Sequence, residues 1–189
     1  MNSSRVKLQR RPFLTPIWLT VGAVATAFVF ALFMIWVWGT ADSTTVIVVR
    51  HAEKETGDAV DPKLSAAGSA RAQLLARMFG VADGPGRLDA IYVSNTSRSR
   101  LTAAPLAERL HLPVSVAAGN DARALARRAL REHAGGRVLI VAHLDTLPAI
   151  VASLSGNDDI PNLDAQDYGV IYVVTVPRIG HANLLRLNY

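Results

Sequence analysis

The chain has 189 residues, no cysteine and a formal charge of +5. Without cysteine it can have no disulfides, thiolate nucleophiles or Cys-ligated zinc or iron–sulfur centres. Arg5, Lys7, Arg10 and Arg11 precede the first acid, Asp42, so residues 42–189 are nearly neutral and no nucleic-acid partner is expected.

Ile17 to Gly39 (IWLTVGAVATAFVFALFMIWVWG) runs 23 residues without a charge. As a helix it would span roughly 34 Å, enough for a bilayer core of about 30 Å. Trp18, Trp36 and Trp38 lie near its ends, where amphipathic rings favour the membrane interface. Residues 1–16 therefore read as a basic cytoplasmic N-terminus, 17–39 as a transmembrane signal anchor and 42–189 as one soluble domain. The basic residues before the run and Asp42 after it place that domain across the membrane by the positive-inside rule. The competing reading is a cleaved signal peptide, with Gly39 and Ala41 as small residues near the cleavage site.

TTVIVVR, 44–50, is an uninterrupted β-branched run and predicts a buried parallel strand. Residues 65–79 read as a helix capped by Ser65, with Leu74, Leu75, Met78 and Phe79 on its apolar face. After the turn GVADGPG come a strand at 88–94, a helix at 98–110, a strand at 113–117 and a helix from Asp121 to His133. Arg127, Arg128 and Arg131 read as a solvated face of that helix. Gly135-Gly136 ends it before the strand RVLIVAH, 137–143, and the helix-forming TLPAIVASLSG. A polar loop runs to Gln166, and 168–176 and 182–188 predict a final antiparallel pair turning around Pro177–Gly180. The alternation predicts an α/β fold, a three-layer α/β/α sandwich with a largely parallel central sheet, preceded by one transmembrane helix.

Arg50-His51 ends the first strand and His143 ends the fourth, while Arg98 begins the helix after the second. Open α/β sheets bind ligands beyond the carboxyl ends of their strands, so these side chains can share one crevice. Guanidinium forks match phosphate oxygens, and a helix N-terminus offers N–H groups to an anion. An imidazole that is uncharged near neutral pH can attack phosphorus directly. For either histidine alone, a structural hydrogen-bonding role is the competing reading.

The stretch VVRHAEK, 48–54, closely resembles the Arg-His signature of the histidine phosphatase superfamily, which includes the phosphoglycerate mutases. SNTSRSRLTAAPLAERL, 94–110, looks like its second phosphate-binding element. DPKLSAAGSARAQLLA, 61–76, resembles its Leu-Ser…Gly helix opening, and VLIVAHLDTLPAIVASLSG, 138–156, the element carrying its second histidine. The resemblance implies that His51 becomes phosphohistidine while Arg50, Arg98 and His143 hold the phosphate. It implies a phosphomonoester hydrolase that needs no cofactor and no metal. The alternative is a catalytically weak or inactive phosphate-binding protein of the same fold.

Ala52 stands where the family usually has glycine, and no clear equivalent of its acidic glutamate is present. Asp121 and Asp145 are the candidates for the general acid, each with helix capping as the competing role. Glu53 is placed either to orient the site or to form a salt bridge. Arg100 reads as a flanking residue, Thr102 and Ala103 as packing residues, and His111, His133 and His181 as surface or structural. The expected partners are a membrane and a phosphorylated small molecule, lipid head group or phosphoprotein. The expected location is the bacterial inner membrane, with the domain outside the cytoplasm.

Overall fold

The computed structural model describes residues 16–41, 43–57, 60–81, 84, 86–117 and 121–189. The chain divides into two units between Trp38 and Gly39. Helix α1 covers Ile17–Ala41, most of it in the first unit, and so reaches just beyond the expected span. Its apolar stretch Ile17–Val37 is long enough to cross a membrane, and none of it is buried within the protein. Ile17, Trp18, Val24 and Trp36 are all exposed, which excludes a role as a core helix. The basic N-terminal residues 1–15 lie outside the described residues.

The second unit contains strands β1 (Thr44–Arg50), β2 (Ala90–Val93), β3 (Val114–Val116), β4 (Arg137–Ala142), β5 (Val170–Val176) and β6 (Asn183–Asn188). Helices α2 (Ala66–Phe79), α3 (Ser97–Leu110), α4 (Ala122–Glu132) and α5 (Leu147–Ser155) connect them. The strands form one sheet in the order β3-β2-β4-β1-β5-β6. β1 pairs parallel with β4, and β2 with β3 and β4, whereas β5 and β6 add antiparallel at one edge.

Helices cover both faces, which is why β1 shows no polar alternation. Val46 and Val48 point into one core with Ala126 and Ala129 of α4 and Ile150 and Leu154 of α5. Ile47 and Val49 point into the other with Leu75 of α2 and Ala103 and Leu106 of α3. Each fully buried Val, Leu or Ile contributes about 1.5–3 kcal/mol over its exposed state, so these two layers hold the strand ends in place. Arg127 and Arg131 are exposed, and Arg128 pairs with Glu132 at 3.0 Å on the outside of α4.

Two helix boundaries bear directly on the crevice. Ser65 caps α2 by accepting the Gly68 N–H, and its own N–H donates to the Glu53 carbonyl at 3.0 Å. The short bridge Lys54–Leu64 continues this pairing, so the segment after β1 lies against the start of α2. Gly68 is required there, since a Cβ at that position would sit 2.1 Å from the Glu53 carbonyl oxygen. α4 begins at its cap, Asp121, whose carboxylate accepts the Ala124 N–H.

Candidate active site

Arg50 and Ala142 are register partners on the parallel strands β1 and β4, so the chain leaves both strands at one level. His51 and His143 are the next residues. The His51 N–H donates to the Ala142 carbonyl at 3.0 Å, and the two imidazole rings meet edge-on with centroids 5.3 Å apart. Arg98, in the first turn of α3, reaches across to place its Nε 3.2 Å from His51 Nε2. The structure thus brings His51, His143 and Arg98 into one crevice beyond the strand ends, with Arg50 the last residue of β1 beside them.

The His51 ring is oriented by its own backbone. Nδ1 lies 2.9 Å from the Ala52 carbonyl, which can only accept, so Nδ1 carries the proton. Nε2 then bears the lone pair, consistent with its acceptance of the Arg98 N–H. Ala52 is held in turn by Thr102 of α3. Thr102 Oγ1 accepts the Ala52 N–H at 2.9 Å and donates to the Arg98 carbonyl at 2.7 Å. Thr102 is fully buried, and this bond goes beyond the packing role read from the sequence.

Arg50 is buried, and its Nη1 donates to the carbonyls of Ala165 at 2.9 Å and Asp164 at 3.3 Å. Its guanidinium lies 3.9 Å from the centre of the Tyr168 ring, a desolvated cation–π contact. Arg50 Nε and His143 Nδ1 are buried without a partner among the described residues. Unpaired buried polar atoms are costly, and an oxyanion is the ligand whose oxygens would satisfy a guanidinium N–H in such a crevice.

Burial, followed by the nearby charges of Arg98, His143 and Arg50, pushes the His51 imidazole down to about 4. Burial first and the Arg98 charge second also lower His143. Both rings are therefore neutral at pH 7.

The two candidate acids differ in setting. Asp121 lines a small cleft with Ser94, His143 and Thr146, but one of its oxygens caps α4. Asp145 is exposed on the turn between His143 and α5, close enough for its charge to raise the His143 imidazole. Glu53 makes a salt bridge to Arg71 of α2 at 2.6 Å, the structural one of its two expected roles. That pairing lowers the Glu53 carboxyl and raises the Arg71 guanidinium. Arg100 turns away to Asn95, and the His133 ring lies 3.1 Å from the Tyr92 hydroxyl, remote chemistry that fits flanking and structural roles.

Three residues near the crevice were given no such place by the sequence. Asp61 accepts the Ser97 N–H and hydroxyl and lies 3.7 Å from Arg98 Nη1. The expectation that the N-terminus of α3 offers free N–H groups to an anion thus fails at Ser97, whose N–H is already taken. Tyr168, expected as the first residue of a strand, precedes β5 and covers Arg50. Thr102 is the third. The signal for Asp61 was its position heading DPKLS, but its partner lies 36 residues away.

The family model of the histidine phosphatase superfamily (branch 1) matches residues 46–119, which include Arg50, His51 and Arg98. This match places the stretch 46–119 in the histidine phosphatase superfamily. Solved structures agree with this fold. A protein histidine phosphatase, SixA, complexed with tungstate has a TM-score of 0.61 at 19% identity, covering 76% of this chain and 96% of its own. A mycobacterial glucosyl-3-phosphoglycerate phosphatase gives 0.60 at 18%, covering 77% and 99%. Phosphoserine phosphatase from Entamoeba histolytica, in complex with 3-phosphoglyceric acid, gives 0.57 at 17%, covering 77% and 97%. A search of curated proteins finds no match. The chain thus covers nearly the full length of each of these structures.

Proposed function

We propose that this histidine phosphatase domain hydrolyses phosphomonoesters through a phosphohistidine on His51. The observation that carries the reading is the His51 tautomer. A proton fixed on Nδ1 leaves a lone pair on Nε2, in a crevice with two arginines and a second neutral imidazole. In the first step Nε2 attacks phosphorus and the bond from phosphorus to the leaving oxygen breaks. The imidazole becomes cationic, and its Nδ1–H bond to the Ala52 carbonyl strengthens. Arg98 shifts its donors from Nε2 to a phosphoryl oxygen, while Arg50 and His143 contact the other oxygens and stabilise the charge on them. Water then attacks phosphorus, its proton passes to the carboxylate that protonated the leaving group, the N–P bond breaks and neutral His51 returns.

The departing alkoxide takes a proton from Asp121, which shares a cleft with His143, or from Asp145 as the second candidate. The engagement of Asp121 in the α4 cap favours the alternative of a phosphate-binding protein with little turnover. The solved relatives named as phosphatases of a phosphoprotein and of small phosphates support a phosphorylated substrate without choosing between a small molecule, a lipid head group and a phosphoprotein. Helix α1, with four basic residues before it, supports a single-pass anchor in a bacterial inner membrane with the domain outside the cytoplasm.

The test is hydrolysis of an aryl phosphate by the full chain in detergent, wild type beside His51→Ala. An aryl oxide leaves with little help from an acid, so turnover depends on the nucleophile. Turnover abolished in His51→Ala supports the hydrolase. Folded wild-type protein that binds phosphate without turning over supports the alternative.

A further inference from the structure

Arg98 is the residue that both touches the His51 nucleophile and faces the crevice, so what fixes its guanidinium matters. Its backbone lies in the first turn of α3, and Thr102 holds its carbonyl. Its side chain has one acidic neighbour among the described ion pairs, Asp61, at 3.7 Å from Nη1. Asp61 is itself fixed. Its oxygens accept the Ser97 N–H at 3.1 and 2.9 Å and the Ser97 hydroxyl at 2.6 Å.

The carboxylate therefore sits at a defined point, anchored to the residue adjacent to Arg98 and facing its Nη1. Arg98 Nε is directed at His51 Nε2 from the other side. The Ser97 hydrogen bonds, and after them the Arg98 and Arg100 charges, hold the Asp61 carboxyl below its usual range, so it is ionised at neutral pH.

We propose that Asp61 is a positioning residue for Arg98, holding the guanidinium at the height where it meets an oxyanion bound beside His51. It does so through charge from the loop between β1 and α2, ten residues beyond His51 in the chain. The proposal rests on the reading of the crevice as an oxyanion site but not on turnover. Asp61 has a second role, capping α3, and the two roles separate by chemistry. Asparagine keeps an oxygen acceptor for the Ser97 N–H and loses the charge that Arg98 meets.

The experiment measures tungstate binding to the full chain in detergent by calorimetry, for wild type, Asp61→Asn, Arg98→Ala and the double variant. Asp61→Asn is expected to weaken tungstate about fivefold to tenfold with an unchanged unfolding midpoint, and to have no further effect when Arg98 is already alanine. Wild-type affinity in Asp61→Asn, or independent losses that multiply in the double variant, would overturn the proposal. Ser97→Ala removes one bond to Asp61 and leaves the carboxylate beside Arg98, so it is expected to keep the affinity for tungstate. A loss there equal to that of Asp61→Asn would assign the effect to the Ser97 hydroxyl bond rather than to the charge facing Arg98, and would also overturn it. Wild type that binds tungstate but fails to hydrolyse an aryl phosphate would overturn the hydrolase and leave Asp61 in its role. Wild type that fails to bind tungstate overturns the oxyanion site and the proposal with it.

Discussion

Arg98 Nε lies 3.2 Å from His51 Nε2 while His51 Nδ1 meets the Ala52 carbonyl at 2.9 Å, so both imidazole nitrogens are engaged and their roles are distinct. The lone pair that would attack phosphorus is the one to which the arginine donates. Binding of an oxyanion gives that donor a more strongly charged acceptor, and the exchange exposes the nucleophile as the substrate arrives.

The acid limb of kcat/KM is expected near pH 4, well below the ordinary histidine range. Protonation of His51 removes the lone pair, and burial together with the Arg98, His143 and Arg50 charges depresses that protonation to about 4. A profile of aryl phosphate hydrolysis in the full chain checks this. A limb near 6.5 would show that His51 is solvated.

The same shift makes the fold sensitive to acid. His51 is depressed from 6.5 to about 4, so between these values the unfolded chain binds more protons than the folded one. Stability from this group is complete above 6.5 and falls as pH drops, by about 3 kcal/mol in all at pH 4. His51→Gln removes the titration, and its unfolding midpoint is expected to change less between pH 7 and pH 4 than that of wild type.

Arg98→Ala is expected to lower kcat/KM by roughly a hundredfold or more, the scale of one lost charge-stabilising donor. Arg98→Lys restores charge but not the fork that serves His51 and an oxyanion together, so it is expected to recover less than a tenth of the loss. Steady-state kinetics on the three proteins measures both steps.

Thr102→Val keeps the shape of a fully buried side chain and removes the acceptor for the Ala52 N–H. The orphaned N–H is expected to cost about 1–3 kcal/mol. Because Ala52 supplies the carbonyl that orients His51, kcat is expected to fall as well. Thermal unfolding and kinetics on the same samples test the two effects.

Gly68→Ala places a Cβ 2.1 Å from the Glu53 carbonyl oxygen, a backbone atom that cannot move alone. The segment after His51 must shift, and a destabilisation of about 1–3 kcal/mol is expected by denaturant titration. A neutral result would mean that the loop is not packed on α2 in solution.

The layers of the fold were legible because TTVIVVR and RVLIVA have no polar alternation, which only a strand covered on both faces tolerates. Parallel pairing then brings Arg50 and Ala142 level, and the positions of His51 and His143 follow from the strand ends alone. Arg98 was legible for the same reason, as the residue beyond β2. Asp61 and Tyr168 were not, because their contacts with Arg98 and Arg50 depend on how two irregular loops return to the crevice. Local periodicity carries no information about such returns. Nor could it show that Arg50 Nη1 is already committed to the carbonyls of residues 164 and 165.

The central claim is a covalent phosphoryl group on His51, and the most direct measurement is to trap it. Full-length protein would be mixed rapidly with an aryl phosphate, quenched in alkali, where phosphohistidine survives, and mapped by peptide mass spectrometry. The result expected is one phosphoryl group on His51, absent from His51→Ala and formed fast enough to account for turnover. Turnover by wild type with His51 unmodified at every time point, or with the phosphoryl group on another residue, would contradict the mechanism.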